Sequence, residues 1–336
     1  MNDQTIKILQ ITACSLSLIG SLFIVVVYFK MGMRNNFALK LIMCLTISDI
    51  IFSLSNLMYI DPGCTPNYQI LCTIQGFLIQ YSSIACFIFC FLLCLCIFWT
   101  VIRNRANLSQ YQRCFQIIGF CIPILFALIP AITNSYNTQI YVCGISNDDV
   151  DLCHNKSDKS SQIVMVESIL LFYVPLWLMN IVGISFIIRV SVFMTKLRTQ
   201  SELNNRSRSS DQQEIQLQTQ QEYELKLSQR ITQNMLLYPI IMLICYSGMT
   251  VYAIGKLCNS EIVILRGLRF IMADCLGLCN SIAYGYNAII ILRLQKMMSQ
   301  QQTLPMMQFR QGSNDSDVNR KQFESFLSIA TIYNDQ

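Results

Sequence analysis

The chain has 336 residues, of which 53% are hydrophobic and only 13% charged, with 24 Lys and Arg against 19 Asp and Glu. A mean hydropathy of +0.45 and roughly half the charged fraction usual in soluble chains exclude an ordinary soluble globular protein. The net charge of +5 comes from basic residues gathered on one side of apolar segments, so no nucleic-acid partner is expected.

Seven apolar stretches reach the roughly 18 residues that a helix needs to cross a bilayer. They are Ile8–Phe29, Phe37–Ile60, Ile74–Ile102, Phe115–Thr133, Ile163–Ile188, Met235–Ile254 and Phe270–Leu292. The fold class expected is all-α: a seven-transmembrane helix bundle forming one domain over 8–298. Residues 1–7 are expected outside, and 299–336 form a cytoplasmic, disordered tail. With the N-terminus outside, most of the 24 basic residues fall on the inner side, including Lys30, Arg34, Lys40, Arg103, Arg105, Arg189 and Arg230. The first outer loop has none, and this bias predicts N-out, C-in. Span one is too long for a cleaved signal and lacks a basic leader, so it is read as its own anchor.

Span two carries Asp49, twelve residues in, about 18 Å along the helix. A carboxyl at that depth demands a reason. Span three carries Cys86, Cys90 and Cys94 on one helical stripe. The single His of the chain, His154, is remote in sequence, so packing rather than a metal site is expected there. Of sixteen cysteines, only Cys64, Cys72, Cys143, Cys153 and Cys258 fall in or beside outer loops. Four such cysteines permit three connectivities. A Cys72–Cys143 bridge, tying the top of span three to the second outer loop, is expected, with Cys64–Cys153 as a further pairing. Asn155-Lys156-Ser157 is a glycosylation sequon on the same loop.

Span four holds Pro123 and Pro130, span five Pro175 and span six Pro239. Each frees a backbone carbonyl and permits a kink. Glu167 stands at the top of span five. The segment 190–230 is expected to be a cytoplasmic loop, solvated and partly disordered over Gln200–Gln229, where Gln, Ser and Glu dominate. Beyond Lys256, Arg266 and Arg269 sit three apart on one helix face, just above Asp274. They are read either as a cationic mouth for an anionic ligand, with Glu167 as a second candidate for lining that cavity, or as side chains reaching to headgroups. Asn280 lies twelve residues before the inner end of span seven. The antiparallel course of spans two and seven therefore puts it level with Asp49, as an amide donor facing a carboxylate. Ser21 and Ser281 are expected to complete that layer, as a static clasp or as a switch. Leu292–Met298 alternates apolar and basic residues, which suits a short amphipathic helix on an anionic inner leaflet.

These residues resemble a family. Leu45-Thr46-Ile47-Ser48-Asp49, Gly20-Ser21 and Asn280-Ser281-Ile282-Ala283-Tyr284 resemble motifs of spans two, one and seven of G-protein-coupled receptors. Tyr238-Pro239, Cys72 with Gln75-Gly76, and the run Asn280 to Asn287 are similar to the slime-mould cyclic-AMP receptors and their plant and protist relatives. The resemblance spans residues 10–297. It departs from rhodopsin-class receptors, with Trp99-Thr100-Val101-Ile102-Arg103 where an Asp-Arg-Tyr triplet would stand and no Cys-Trp-x-Pro in span six. The resemblance implies a plasma-membrane receptor that transduces an extracellular small-molecule ligand to a heterotrimeric G protein. The ligand set implied is Arg266, Arg269, Asp274, Glu167 and Gln75, for an anionic, cyclic-nucleotide-like molecule. The switch layer is Asp49, Asn280, Ser281, Tyr284 and Ser21, and the coupling surface lies near Arg103, Arg105, Arg189 and Arg230. Membrane lipids are the other partner.

A retinal protein would need a Lys deep in span seven, and none stands between Lys256 and Lys296. An enzyme is not expected: the sequence shows no phosphate loop, no metal-ligand spacing and no His inside the bundle. No cofactor is expected. A transporter or channel, or a seven-span adaptor without ligand, is the alternative reading; the former would show internal repeats and broken helices.

Overall fold

The computed structural model describes residues 3–30, 37–58, 68–103, 109–139, 142–145, 161–207, 237–257 and 263–285. Within these, α1 (Asp3–Lys30), α2 (Phe37–Leu57), α3 (Tyr68–Ile102) and α4 (Gln112–Ile132) form the first four spans. A two-stranded hairpin follows, β1 (Tyr136–Gln139) and β2 (Val142–Ile145). Then α5 (Ser161–Ser168) runs through a π-helical turn, Ile169–Tyr173, into α6 (Val174–Ser207). Helix α7 (Leu237–Leu257) is span six, and α8 (Val263–Asp274) with α9 (276–285) makes span seven. Six of these helical segments are long and apolar enough to cross a membrane. The seventh misses that length because a single turn residue, Cys275, divides it.

That interruption is not an unwound segment. Cys275 N–H still reaches Ile271 O at 3.1 Å and Cys279 N–H reaches Cys275 O at 3.0 Å, so the backbone stays satisfied, as a bilayer requires.

The bundle is built around α3. Its apolar window is 78% buried, against 39% for span one, 28% for span four and 22% for span five. Ile84, Ala85 and Cys86 have no exposed surface at all. The peripheral helices instead expose large apolar side chains, among them Ile19, Leu125, Ile132, Leu178 and Ile282. Such a belt would be untenable in water and is what acyl chains cover. Close approach depends on small residues: a side chain at Gly119 would overlap the ring of Phe89 on α3.

Several boundaries differ from those read in the sequence. Helix α3 begins at Tyr68 rather than Ile74, about 1.7 turns earlier. Span five does not stop at Ile188: α6 continues to Ser207, so residues 190–207 of the expected loop are helix. No Pro or Gly interrupts that run, and its Lys, Arg, Glu and Leu are good helix formers. The remainder of the 190–230 segment, the amphipathic Leu292–Met298 and the tail 299–336 lie outside the described residues. So do Cys64, Cys153, Cys258 and the Asn155 sequon.

Pro175 shows how a proline in a span is accommodated. It lacks the N–H that an α-helix would send four residues back, to Leu171. Gln80 on α3 takes that place, donating from Nε2 to Leu171 O at 2.9 Å. The π-helical turn sits just before it, with Val174 N–H bonded to Ile169 O.

Candidate functional site

The centre of the bundle holds one buried polar layer. Asn280 Nδ2 donates to Asp49 Oδ2 at 2.8 Å, and the Cys86 thiol donates to Asp49 Oδ1 at 3.2 Å. Asp49 is 2% exposed. Both carboxyl oxygens thus hold a partner, one from span seven and one from span three. The equal-height argument placed Asp49 opposite Asn280, and the structure brings them together. Cys86 is the residue that sequence reasoning missed. A cysteine in an apolar helix reads as packing, and only the stripe it forms with Cys90 and Cys94 hinted at a shared inward face.

Ser21 and Ser281 do not complete the layer around Asp49 as expected. Ser281 Oγ bonds back to Leu278 O at 2.7 Å. Among the described residues, the buried Ser21 hydroxyl, Tyr284 hydroxyl and Asn280 Oδ1 have no hydrogen-bond partner. A second polar contact lies one turn away: Ser17 Oγ accepts from Gly277 N–H at 3.0 Å and from Ser53 Oγ at 3.2 Å. Gly277 is required there. A Cβ would meet Ser17 Oγ and Ser21 Oγ at 2.5 Å each, so its absence lets spans one and seven touch.

The turn of α3 that carries Cys86 also carries Phe87. Its ring meets Tyr246 of span six edge-on at 4.7 Å and Phe172 of span five at 5.6 Å. One helical turn therefore touches spans two, five and six.

The end of the bundle that carries the hairpin is braced separately. Cys72 and Cys143 form a disulfide with Cα atoms 5.2 Å apart. Gln75, expected among the ligand set, is fully buried beneath it. Its amide nitrogen donates to Ser55 O at 2.9 Å and Met58 O at 2.7 Å, and its Oε1 accepts from Cys143 N–H at 3.0 Å. It therefore joins span two, span three and the hairpin, with both amide hydrogens engaged inside the protein. Tyr136 covers Gly76 and donates to Ala127 O at 2.8 Å. Burial, with the nearby Glu167 carboxylate, pushes the Tyr136 phenol well above its ordinary range. Glu167 itself is half-buried and accepts from Thr133 Oγ1 at 3.2 Å.

Asp274 is 2% exposed and takes a bond from Cys14 of span one, and its Oδ2 has no partner among the described residues. It faces span one and not an open mouth. Arg266 and Arg269 lie on α8, but their side chains are outside the described part of the structure. At the opposite end, Arg103 and Arg189 line one groove of about 460 Å³. Arg105 and Arg230 lie outside the described residues.

No family model matches the chain. It is 23% identical over 283 residues to G-protein coupled receptor 1 of Arabidopsis thaliana, covering 83% of this chain and 77% of that protein. It is 24% identical over 133 residues to Cyclic AMP receptor-like protein A of Dictyostelium discoideum, covering 40% of this chain and 35% of that protein. The fold matches squid rhodopsin with a TM-score of 0.62 at 13% identity, over 100% of this chain and 93% of the rhodopsin. The chain is similar to G-protein-coupled receptors. The likeness to the Dictyostelium protein is to the cyclic-AMP-receptor-like kind, and the long apolar helices make the chain a multi-pass membrane protein. The chain has the bundle fold and a Cys72–Cys143 disulfide, and carries a cysteine at the carboxylate of its central layer.

Proposed function

We propose that this receptor sits in the plasma membrane with its N-terminus outside, and that the Asp49 layer is the switch linking ligand to transducer. The observation that carries the reading is the buried junction of Asp49 with Asn280 and Cys86. A carboxyl in the bilayer centre is costly, and this one is held by two helices at once.

The same bundle holds three buried polar atoms with no partner among the described residues, the Ser21 and Tyr284 hydroxyls and Asn280 Oδ1. Buried polar groups without partners are rare and call for an explanation. A second arrangement of spans two, three and seven that gives them partners supplies one. A ligand that binds that second arrangement better shifts the population toward it. The contacts of Phe87 with Phe172 and Tyr246 carry the movement to spans five and six. Their inner ends then open a cleft near Arg103, Arg105, Arg189 and Arg230 for a heterotrimeric G protein.

The ligand proposed is a small anion of cyclic-nucleotide class. Arg266, Arg269 and Glu167 are its candidate contacts near the outer ends of spans five and seven, with Asp274 bracing the wall from span one. Support comes from the basic pair in this sequence and from the name borne by the Dictyostelium relative. Gln75 is assigned to bracing the disulfide rather than to the ligand. The test is a panel of G-protein dissociation sensors challenged with cyclic nucleotides. A saturable response that Arg266→Ala and Arg269→Ala shift to higher concentration supports this ligand class. A response to no cyclic nucleotide in a surface-expressed receptor rejects it.

A further inference from the structure

Between spans three, five and six the bundle holds a cavity of about 10 Å³. Cys90 and Cys94 of α3, Met179 and Asn180 of α6, and Met242 of α7 are among the residues that line it. The two cysteines lie four and eight residues beyond Cys86, about 6 and 12 Å along the helix. Both are buried, and their thiols hydrogen-bond one another. Cys94 Sγ stands 3.5 Å from where a Cβ on Gly183 would lie, and Gly183 lines the same cavity. Met179 is four residues from Gly183, so one face of α6 carries both. Met242 is buried on the wall that α7 contributes, three residues from Pro239. Four sulfur-bearing side chains from three helices therefore surround one small space.

The walls decide what the space can hold. Its volume suits a single guest of about the size of a water. Water needs two to four polar partners, and Asn180 Nδ2 is already engaged by Leu176 O at 2.8 Å. Calcium and magnesium take oxygen ligands, and no carboxylate lines the cavity. Zinc takes four ligands drawn from Cys, His and carboxylates, and only two of that kind are here. Thiolate and thioether sulfur together suit copper(I). Charge favours the same ion. Copper(I) on one thiolate is neutral, whereas a divalent ion needs both thiols ionised to avoid burying charge in the bundle. Among the described residues no three His, Cys, Asp or Glu side chains form a metal group; here the thioethers complete the number. The sequence reads this cysteine stripe as packing because it does not show Met179 and Met242 converging on it.

We propose that Cys90, Cys94, Met179 and Met242 form a binding site for a copper(I) ion. The ion arrives as the complex of a small-molecule thiolate. In the exchange one cysteine sulfur bonds copper and its proton passes to the departing thiolate. One S–Cu bond breaks, one forms, and copper stays in the +1 state. The second thiol and the two thioethers complete the shell with no further proton loss, and the flexible methionine side chains can turn toward the ion. The site joins spans three, five and six. Under the switch reading above, on which only this consequence rests, a bound ion opposes movement of span six near Pro239 and lowers coupling.

The experiment is an anaerobic titration of the purified full chain in detergent with the copper(I) complex of glutathione, against a coloured copper(I) chelator as competitor. X-ray absorption at the copper edge reads the ligands. Wild type is expected to hold one ion more per chain than the Cys90→Ser, Cys94→Ser double variant, in an all-sulfur shell. Loss of a supporting partner lowers metal affinity about 10- to 100-fold. Met179→Leu and Met242→Leu, which conserve volume, should therefore each weaken binding at least about ten-fold. Thermal melting checks folding, and the methionine variants carry the test where the serine pair fails to fold. Equal copper in wild type and in a normally melting serine pair overturns the proposal and places copper on other thiols. Unchanged affinity in both methionine variants overturns it too, as does displacement of the ion by equimolar zinc(II). Coupling is read separately with G-protein sensors: copper held as stated, with coupling unchanged, leaves the site standing and overturns only the clasp on span six.

Discussion

Asn280 and Asp49 are separated by 231 positions in the chain and joined by a 2.8 Å hydrogen bond at the centre of the bundle. Asp49 also takes a bond from Cys86, so the carboxylate ties span two to spans three and seven together. Hydrogen bonds between helices in a bilayer contribute about 0.6 kcal/mol on average and up to about 1.7. Weakening this junction therefore moves a two-state balance without dismantling the bundle.

The thiol makes a specific prediction. Cys86→Ala removes the donor to Asp49 Oδ1 and leaves that oxygen unpaired, whereas Cys86→Ser restores an O–H donor at nearly the same place. Alanine should shift the ligand midpoint by about three-fold to twenty-fold, the range that 0.6–1.7 kcal/mol converts to. Serine should lie closer to wild type. Concentration–response curves from a G-protein sensor measure both, and equal behaviour of the two variants would show that only volume matters at this site.

The disulfide brace is a matter of stability and delivery. Cys72 and Cys143 close a loop with a sequence separation of 71, for which chain entropy alone corresponds to about 4 kcal/mol. Cys72→Ser and Cys143→Ser should each reduce surface delivery and lower the Tm of purified receptor. Gln75→Leu should do the same more mildly, because it leaves the Ser55 and Met58 carbonyls and the Cys143 N–H without their partner. A Gln75→Leu receptor with unchanged Tm and a weakened ligand response would return Gln75 to the ligand site.

Spans one and seven meet through an absent side chain. Gly277→Val places carbon where Ser17 Oγ, Ser21 Oγ and the Ser17 carbonyl already lie within 2.9 Å. Overpacking of this kind costs roughly 1–3 kcal/mol, and surface delivery should fall sharply. Combining it with Ser17→Ala and Ser21→Gly, which clears part of that space, should recover some of the loss. Flow cytometry of an epitope-tagged receptor measures this.

Much of the arrangement could be read before the structure. Span lengths follow from bilayer thickness, and counting twelve residues inward on two antiparallel helices was enough to set Asp49 opposite Asn280. The Cys72–Cys143 bridge was also among the expected pairings. What could not be read were contacts made by residues that look ordinary. Cys86 is indistinguishable by type from the packing cysteines beside it. Ser17 gains its role from Gly277, which lies 260 positions away. Gln75 seemed a polar group available for ligand because nothing in sequence shows that three backbone groups from two distant segments converge on it. The extension of α6 to Ser207 was hidden by its polar composition, which is compatible with loop and with solvated helix alike.

Gln80 offers a further check on span five. Its bond to Leu171 O satisfies the carbonyl that Pro175 cannot reach. Gln80→Leu leaves that carbonyl unpaired in the membrane, at a cost of about 1–3 kcal/mol. The variant should have a lower Tm, and adding Pro175→Ala, which restores an N–H four residues on, should recover part of it. Non-additivity of the two substitutions is the signature sought.

The switch role of Asp49 is the central claim, and basal and agonist-driven coupling of Asp49→Asn tests it most directly. The measurement uses G-protein dissociation sensors in cells where surface expression is matched to wild type. An Asn at this position keeps the shape of the side chain but removes the carboxylate that accepts from both Asn280 and Cys86. The account predicts coupling changed in basal level or in ligand midpoint, with the receptor still at the surface. Coupling identical to wild type at equal surface expression would contradict it and leave Asp49 as a passive clasp between helices.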